Sequence, residues 1–110
     1  MSALPATAPW TLIGHVGDIP ELEGRSVTIA GRRIAVFRLP DGWAAVDGDC
    51  PHRGGPLSDG IVTERCVTCP LHGRRFDLGS GDRLDGDGDG AIQVHEIRED
   101  RGKLYLRLTA

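Results

Sequence analysis

Apolar and polar residues alternate with a period of two along most of the chain, in short runs separated by Gly, Pro and Asp. That period predicts half-buried strands rather than helices. Residues 10–16 open a strand and 17–24 connect it to the next. Over 26–30, Val27 and Ile29 fall on one face. Gly31-Arg32 is expected as a two-residue hairpin turn into a strand over 33–39. Pro40-Asp41-Gly42 then turns the chain into a strand over 43–47. Short strands over 60–62 and 65–68 pair about Thr63-Glu64, and 76–78 is a strand closed by Gly79-Ser80-Gly81. Near the end, 91–96 carries Ile92 and Val94 inward. Asp100-Arg101-Gly102 turns into 103–109, with Leu104, Leu106 and Leu108 on one face. No segment keeps a helical period for three turns, and the one helical turn expected is over 19–23. The pattern is all-β.

A chain of 110 residues is expected to form a single domain over 1–110. Such a chain buries roughly 65% of its unfolded surface, which supports one modest core. The formal net charge is −3, too small to select a partner class and opposed to nucleic acid, which favours a basic face. No apolar run approaches the ~18 residues of a membrane span. The first residues lack the basic and apolar regions of a signal peptide. Three cysteines leave one unpaired, unlike a disulfide framework. A reducing, cytoplasmic compartment without membrane attachment is the expectation.

Two boxes carry the chemistry: Cys50-Pro51-His52-Arg53-Gly54 and Cys69-Pro70-Leu71-His72-Gly73. Each supplies a thiolate and an imidazole across a sharp turn, so two ligands converge without a helix. Pro51 stiffens the first. Glycines beside the ligands (Gly54, Gly55, Gly73) let backbone N–H groups approach a cofactor. Pro56, Leu57, Pro70 and Leu71 are expected to shield it from water. Two thiolates and two imidazoles are the set that holds a [2Fe–2S] cluster with both histidines on one iron. Tetrahedral zinc accepts the same four groups, but its usual spacing is C-x₂₋₄-C with H-x₃₋₅-H.

The stretches Cys-Pro-His-Arg-Gly-Gly-Pro-Leu-Ser-Asp-Gly from Cys50 and Cys-Pro-Leu-His-Gly-Arg-Arg-Phe-Asp-Leu from Cys69 resemble the Rieske family in box order and separation. The resemblance implies a small antiparallel β-sandwich with one [2Fe–2S] cluster at the tip of two loops, within about residues 48–80. Cys50 and Cys69 would bind one iron, His52 and His72 the other. The high-potential branch adds a disulfide where this chain has Gly55 and Leu71. It also places Ser and Tyr hydroxyls where this chain has Arg74 and Phe76. The resemblance therefore implies the low-potential soluble branch, whose members pass single electrons. The expected partners are a flavin-dependent NAD(P)H reductase and a terminal oxygenase or the large subunit of a nitrite reductase. The nitrite reductase small subunit, catalytic only in complex, is the alternative, and 34–38, the turn Pro40-Asp41-Gly42 and 52–62 look closer to it.

Other features have plainer expectations. Asp85 to Glu96 fits the calcium-loop pattern D-x-[DN]-x-[DN]-G-x₅-E, but strands rather than helices flank it, so a solvated acidic loop is expected. Cys66 is expected as a buried free thiol. His15 and His95 are expected on strands at or near the surface. Trp10, Phe37, Trp43 and Tyr105 are expected in the core or on a sheet face. Arg53, Arg74 and Arg75 flank the boxes and either solvate the loop tips or meet an acidic partner.

Overall fold

The computed structural model describes residues 9–49, 56–71, 73–84 and 91–109. Nine strands run in chain order: β1 Thr11–His15, β2 Gly24–Ile29, β3 Arg32–Leu39, β4 Gly42–Asp47, β5 Ile61–Thr63, β6 Cys66–Thr68, β7 Arg75–Asp77, β8 Val94–Asp100 and β9 Lys103–Arg107. Every described pairing between strands is antiparallel. Six strands form a sheet in the order β1-β9-β8-β4-β3-β2, and three form a second sheet in the order β5-β6-β7. The all-β expectation holds.

The large sheet changes partners along β8. Val94 and His95 pair with β4, whereas Glu96 to Asp100 pair with β9. One group of side chains (Ile34, Val36, Ala45, Leu104 and Leu106, with Ile19) joins β3 and β4 to β9. The opposite face of the same two strands (Ala35, Phe37, Leu39, Ala44 and Val46) meets the small sheet through Val62, Val67 and Phe76. The chain thus has two cores back to back, not the one expected. Their shared wall explains why β3 reads as a run, Ile34-Ala35-Val36-Phe37, with all four residues buried. A strand covered on both faces has no polar side to show.

The turns correct the expected punctuation. The β2–β3 turn is Ala30-Gly31, one residue earlier than expected, because Ile29 pairs with Arg32. Both residues take positive φ, 52° and 76°, the type I′ geometry that matches strand twist. Arg101-Gly102 repeats it between β8 and β9, at 54° and 81°. Thr63 pairs with Cys66, so the β5–β6 turn is Glu64-Arg65 rather than Thr63-Glu64. No helix forms over 19–23; a 3-10 turn occupies Val16–Asp18 instead, where the Asp18 carboxylate accepts from the His15 N–H at 2.9 Å. Ile19 is packed into the core, and the chain after it makes a tight turn in which the Glu23 N–H donates to the Pro20 carbonyl at 3.1 Å and Leu22 takes a φ of 65°. Among the described residues no helix is long and apolar enough to cross a membrane.

Candidate metal centre

Of the four expected ligands only Cys69 lies within the described residues; Cys50, His52 and His72 lie outside them, as do Arg53, Gly54 and Gly55. The structure does describe the stems from which both boxes hang. The first box follows β4. The Gly48 N–H donates to the Arg33 carbonyl (2.8 Å), and the Gly48 carbonyl accepts from the Leu57 N–H (2.9 Å). Asp49 bridges Pro56 directly across the loop. A 3-10 turn, Leu57–Asp59, then leads into β5. The first loop is therefore pinned at its neck by backbone bonds.

The second box follows β6 and closes on itself. The Cys69 N–H donates to the Arg74 carbonyl at 2.7 Å, and the Gly73 N–H donates back to the Cys69 carbonyl at 3.1 Å. Cys69 is buried and not disulfide-bonded, its side chain packed with Leu57, Val67, Phe76 and Leu78. The stems are fastened together at Gly60, where an added Cβ would overlap the Thr68 carbonyl oxygen and meet Val67 Cγ2 at 2.8 Å. Only glycine permits that approach of the first stem to β6.

The shield against water differs from expectation. Leu57 is fully buried and Pro56 half-buried, but Pro70 and Leu71 face solvent. The backward closure of the second loop onto Cys69 places them on its outer side. Arg74 is half-buried and Arg75 exposed at the end of this loop. Phe76 pairs with Val67 and is fully buried.

Cys66 is half-buried, not buried as expected, because it begins the central strand of a three-stranded sheet whose outer face is open. Of the calcium-type pattern, residues 85–90 lie outside the described residues. Its last member, Glu96, sits on β8, and both its carboxylate oxygens accept from Arg107 (2.8 and 2.9 Å). That engagement opposes a calcium role. Trp10 stacks against Arg98 and Arg107, and Trp43 donates to Glu99, as sheet-face residues do.

One group was missed by sequence reasoning. His95 is buried, not near the surface as expected, and bonds to Asp47 at 3.0 Å and to the Thr109 N–H at 3.0 Å. Burial holds its pKa below the ordinary imidazole value, against the pull of Asp47.

A buried, unpaired thiol at a closed loop, with a second Cys and two His at the same kind of turn in sequence, is a donor set that fits a [2Fe–2S] cluster. Comparison with known proteins gives the same result. The chain is 28% identical to the ferredoxin component of the naphthalene 1,2-dioxygenase/salicylate 5-hydroxylase systems of Ralstonia sp, over 93% of this chain and 98% of that protein. It is also 28% identical to human apoptosis-inducing factor 3 over 84% of its length, but spans only 15% of that larger protein. A crystal structure described as an NADH-dependent nitrite reductase small subunit from Mycobacterium tuberculosis superposes with a TM-score of 0.86 at 29% identity, covering 94% of this chain and 97% of that one. The Rieske [2Fe-2S] domain model matches residues 9–96, a span that holds both boxes, and the chain accordingly belongs to the Rieske family and carries a [2Fe–2S] cluster.

Proposed function

We propose that Cys50 and Cys69 hold one iron and His52 and His72 the other, and that this single Rieske domain carries single electrons from a flavin-dependent NAD(P)H reductase to a terminal oxidoreductase. The observation that carries this is the pair of loop stems, each closed by backbone hydrogen bonds at the places where the two boxes begin and end. When bound, the cluster supplies a one-electron couple whose potential depends on its surroundings. The chain does the rest. Cys69 presents its sulfur from a buried position. Leu57, Val67 and Phe76 keep water from its inner side. Gly60 fixes the distance between the stems.

The terminal partner in this proposal is a ring-hydroxylating oxygenase. Full-length similarity to a dioxygenase ferredoxin component supports it. So does similarity, at 25% identity and a TM-score of 0.82, to a chain from the complex of oxygenase and ferredoxin in carbazole 1,9a-dioxygenase. A nitrite reductase large subunit is the second candidate, favoured by the similarity to the small-subunit structure over nearly its whole length. A cytoplasmic location belongs to the same proposal and is supported by the free thiol of Cys66.

The test begins with the purified protein. It is expected to be brown, with two irons and two acid-labile sulfides per chain and a Rieske-type EPR signal of low average g when reduced. Replacing Cys50, His52, Cys69 or His72 by Ala should abolish the signal, whereas Cys66→Ser should leave it intact. Survival of the signal in any of the first four removes that residue from the ligand set. Co-purification from the native host then separates an oxygenase from a nitrite reductase large subunit.

A further inference from the structure

The imidazole of His95 is enclosed, with no side-chain exposure. At Nδ1 it faces the backbone N–H of Thr109 at 3.0 Å. An N–H only donates, so Nδ1 is the acceptor and the ring hydrogen sits on Nε2. Nε2–H then donates to Asp47 Oδ1 at 3.0 Å. The same carboxylate accepts from Arg32 Nη2 (3.3 Å) and from the Gln93 N–H (3.1 Å). Arg32 also reaches the Thr109 carbonyl (3.3 Å) and Gln93 Oε1 (3.2 Å). Asp47 ends β4, and the next two residues are the neck of the first cluster-binding loop: Gly48, bonded to Arg33 and Leu57, and Asp49, bonded to Arg33 at 3.0 Å.

We propose that His95, acting through Asp47, is a positioning residue for the first cluster-binding loop, and that it holds this role only as the neutral imidazole. A second ring proton would set Nδ1–H against the Thr109 N–H, two donors face to face. It would also leave two cations, His95 and Arg32, on the single Asp47 carboxylate. Among the described residues, the charged groups facing the ring are Asp47 from β4 and Arg32 from β3. Arg65 of the β5–β6 turn and Glu96 of β8 line the cleft beside it.

Desolvation is the largest cause lowering the His95 pKa, the Asp47 hydrogen bond opposes it, and the Arg32 charge adds to the lowering. The folded pKa thus lies below the unfolded value of 6.5. The clasp contributes fully above 6.5 and is lost as pH falls from there through the folded pKa. Within that window its opening constant rises about tenfold per pH unit.

The inference rests on Cys50 and His52 being cluster ligands, and two readouts separate the questions. Imidazole ¹⁵N shifts of the oxidised holoprotein at about pH 7.5 should show the Nε2–H tautomer at His95. Hydrogen exchange, corrected for intrinsic rate, should speed up in peptides 103–109 and 44–49 as pH falls below about 6.5, with the EPR g values shifting over the same window. In His95→Gln, whose amide still donates to Asp47, exchange and g values should stay level across that range. Thr109→Pro, which deletes the opposed N–H, should weaken the response of the wild type.

An Nδ1–H or doubly protonated ring at about pH 7.5, or the same acid response in His95→Gln, would overturn the proposal. So would exchange confined to 103–109 with unmoved g values, which would make the clasp a plain C-terminal fastening. If His95→Gln does not fold, the wild-type tautomer and the Thr109→Pro response decide. Loss of all Rieske signal from the wild type with the exchange response intact would instead sink the ligand assignment.

Discussion

Three residues sit where a different side chain would do better or differently. Ala30 holds φ of 52° in a type I′ turn, a conformation that costs a non-glycine residue about 1 kcal/mol. Asn is favoured at this position before Gly. Ala30→Asn is expected to raise unfolding free energy by about 1 kcal/mol, read by denaturant titration of the holoprotein, with no change in visible absorbance. Phe76 and Arg74 concern the potential. With neither the Tyr nor the Ser hydroxyl of the high-potential branch, the potential is expected near the low end of the Rieske range, about −150 mV. Phe76→Tyr with Arg74→Ser should raise it in protein-film voltammetry if the hydroxyls reach the cluster. Phe76 is fully buried, so a Tyr hydroxyl that finds no partner there would show as lost stability, at about 1–3 kcal/mol, and an unmoved potential. The family was legible at this scale from its two boxes, because a thiolate and an imidazole flanking a turn have few other uses. His95 was not, since one histidine in an alternating strand says nothing of what closes over it.

At the scale of elements, pairing partners and turn types separate what was legible from what was not. All nine strands overlap the runs that alternation predicts, although β7 shares only Phe76 and Asp77 with its run and β8 only 94–96. Two turns slipped by one residue, Ala30-Gly31 against the expected Gly31-Arg32 and Glu64-Arg65 against the expected Thr63-Glu64. Only strand register decides such cases, and register is set by which face is buried. The two-core arrangement was also hidden: β3 is covered on both sides, a fact about distant strands. The first stem is exposed to a single change. Gly60→Ala places a methyl against the Thr68 carbonyl, and backbone cannot yield as a side-chain tip does. A loss of about 1–3 kcal/mol is expected, with iron content falling as the stem leaves β6. Metal analysis and visible circular dichroism check both effects.

For the whole molecule, the arginines at the end of the second loop test how partners are met. If an acidic rim docks there, Arg74→Glu with Arg75→Glu should slow electron transfer from a reconstituted reductase at low salt and flatten its salt dependence. Rim charge acts on encounter, and about 0.15 M salt screens beyond roughly 8 Å. The EPR signal should not change, because neither side chain is a proposed ligand. Equal stopped-flow rates for wild type and variant at low salt would show that these charges only solvate the tip. The place where the cluster-bearing segment joins the large sheet has a further consequence. The Asp47 N–H donates to the Gln93 carbonyl at 2.9 Å, so everything from 48 to 92 leaves and returns at one point between paired strands. In topology the segment is an overgrown hairpin loop, and transplantation into the turn of an unrelated antiparallel hairpin requires no new spacing between its ends. Its floor is another matter. Ala35, Phe37, Leu39, Ala44 and Val46 belong to the host side of the junction, so a recipient hairpin must offer a comparable apolar face of small and aromatic residues before the transplant folds.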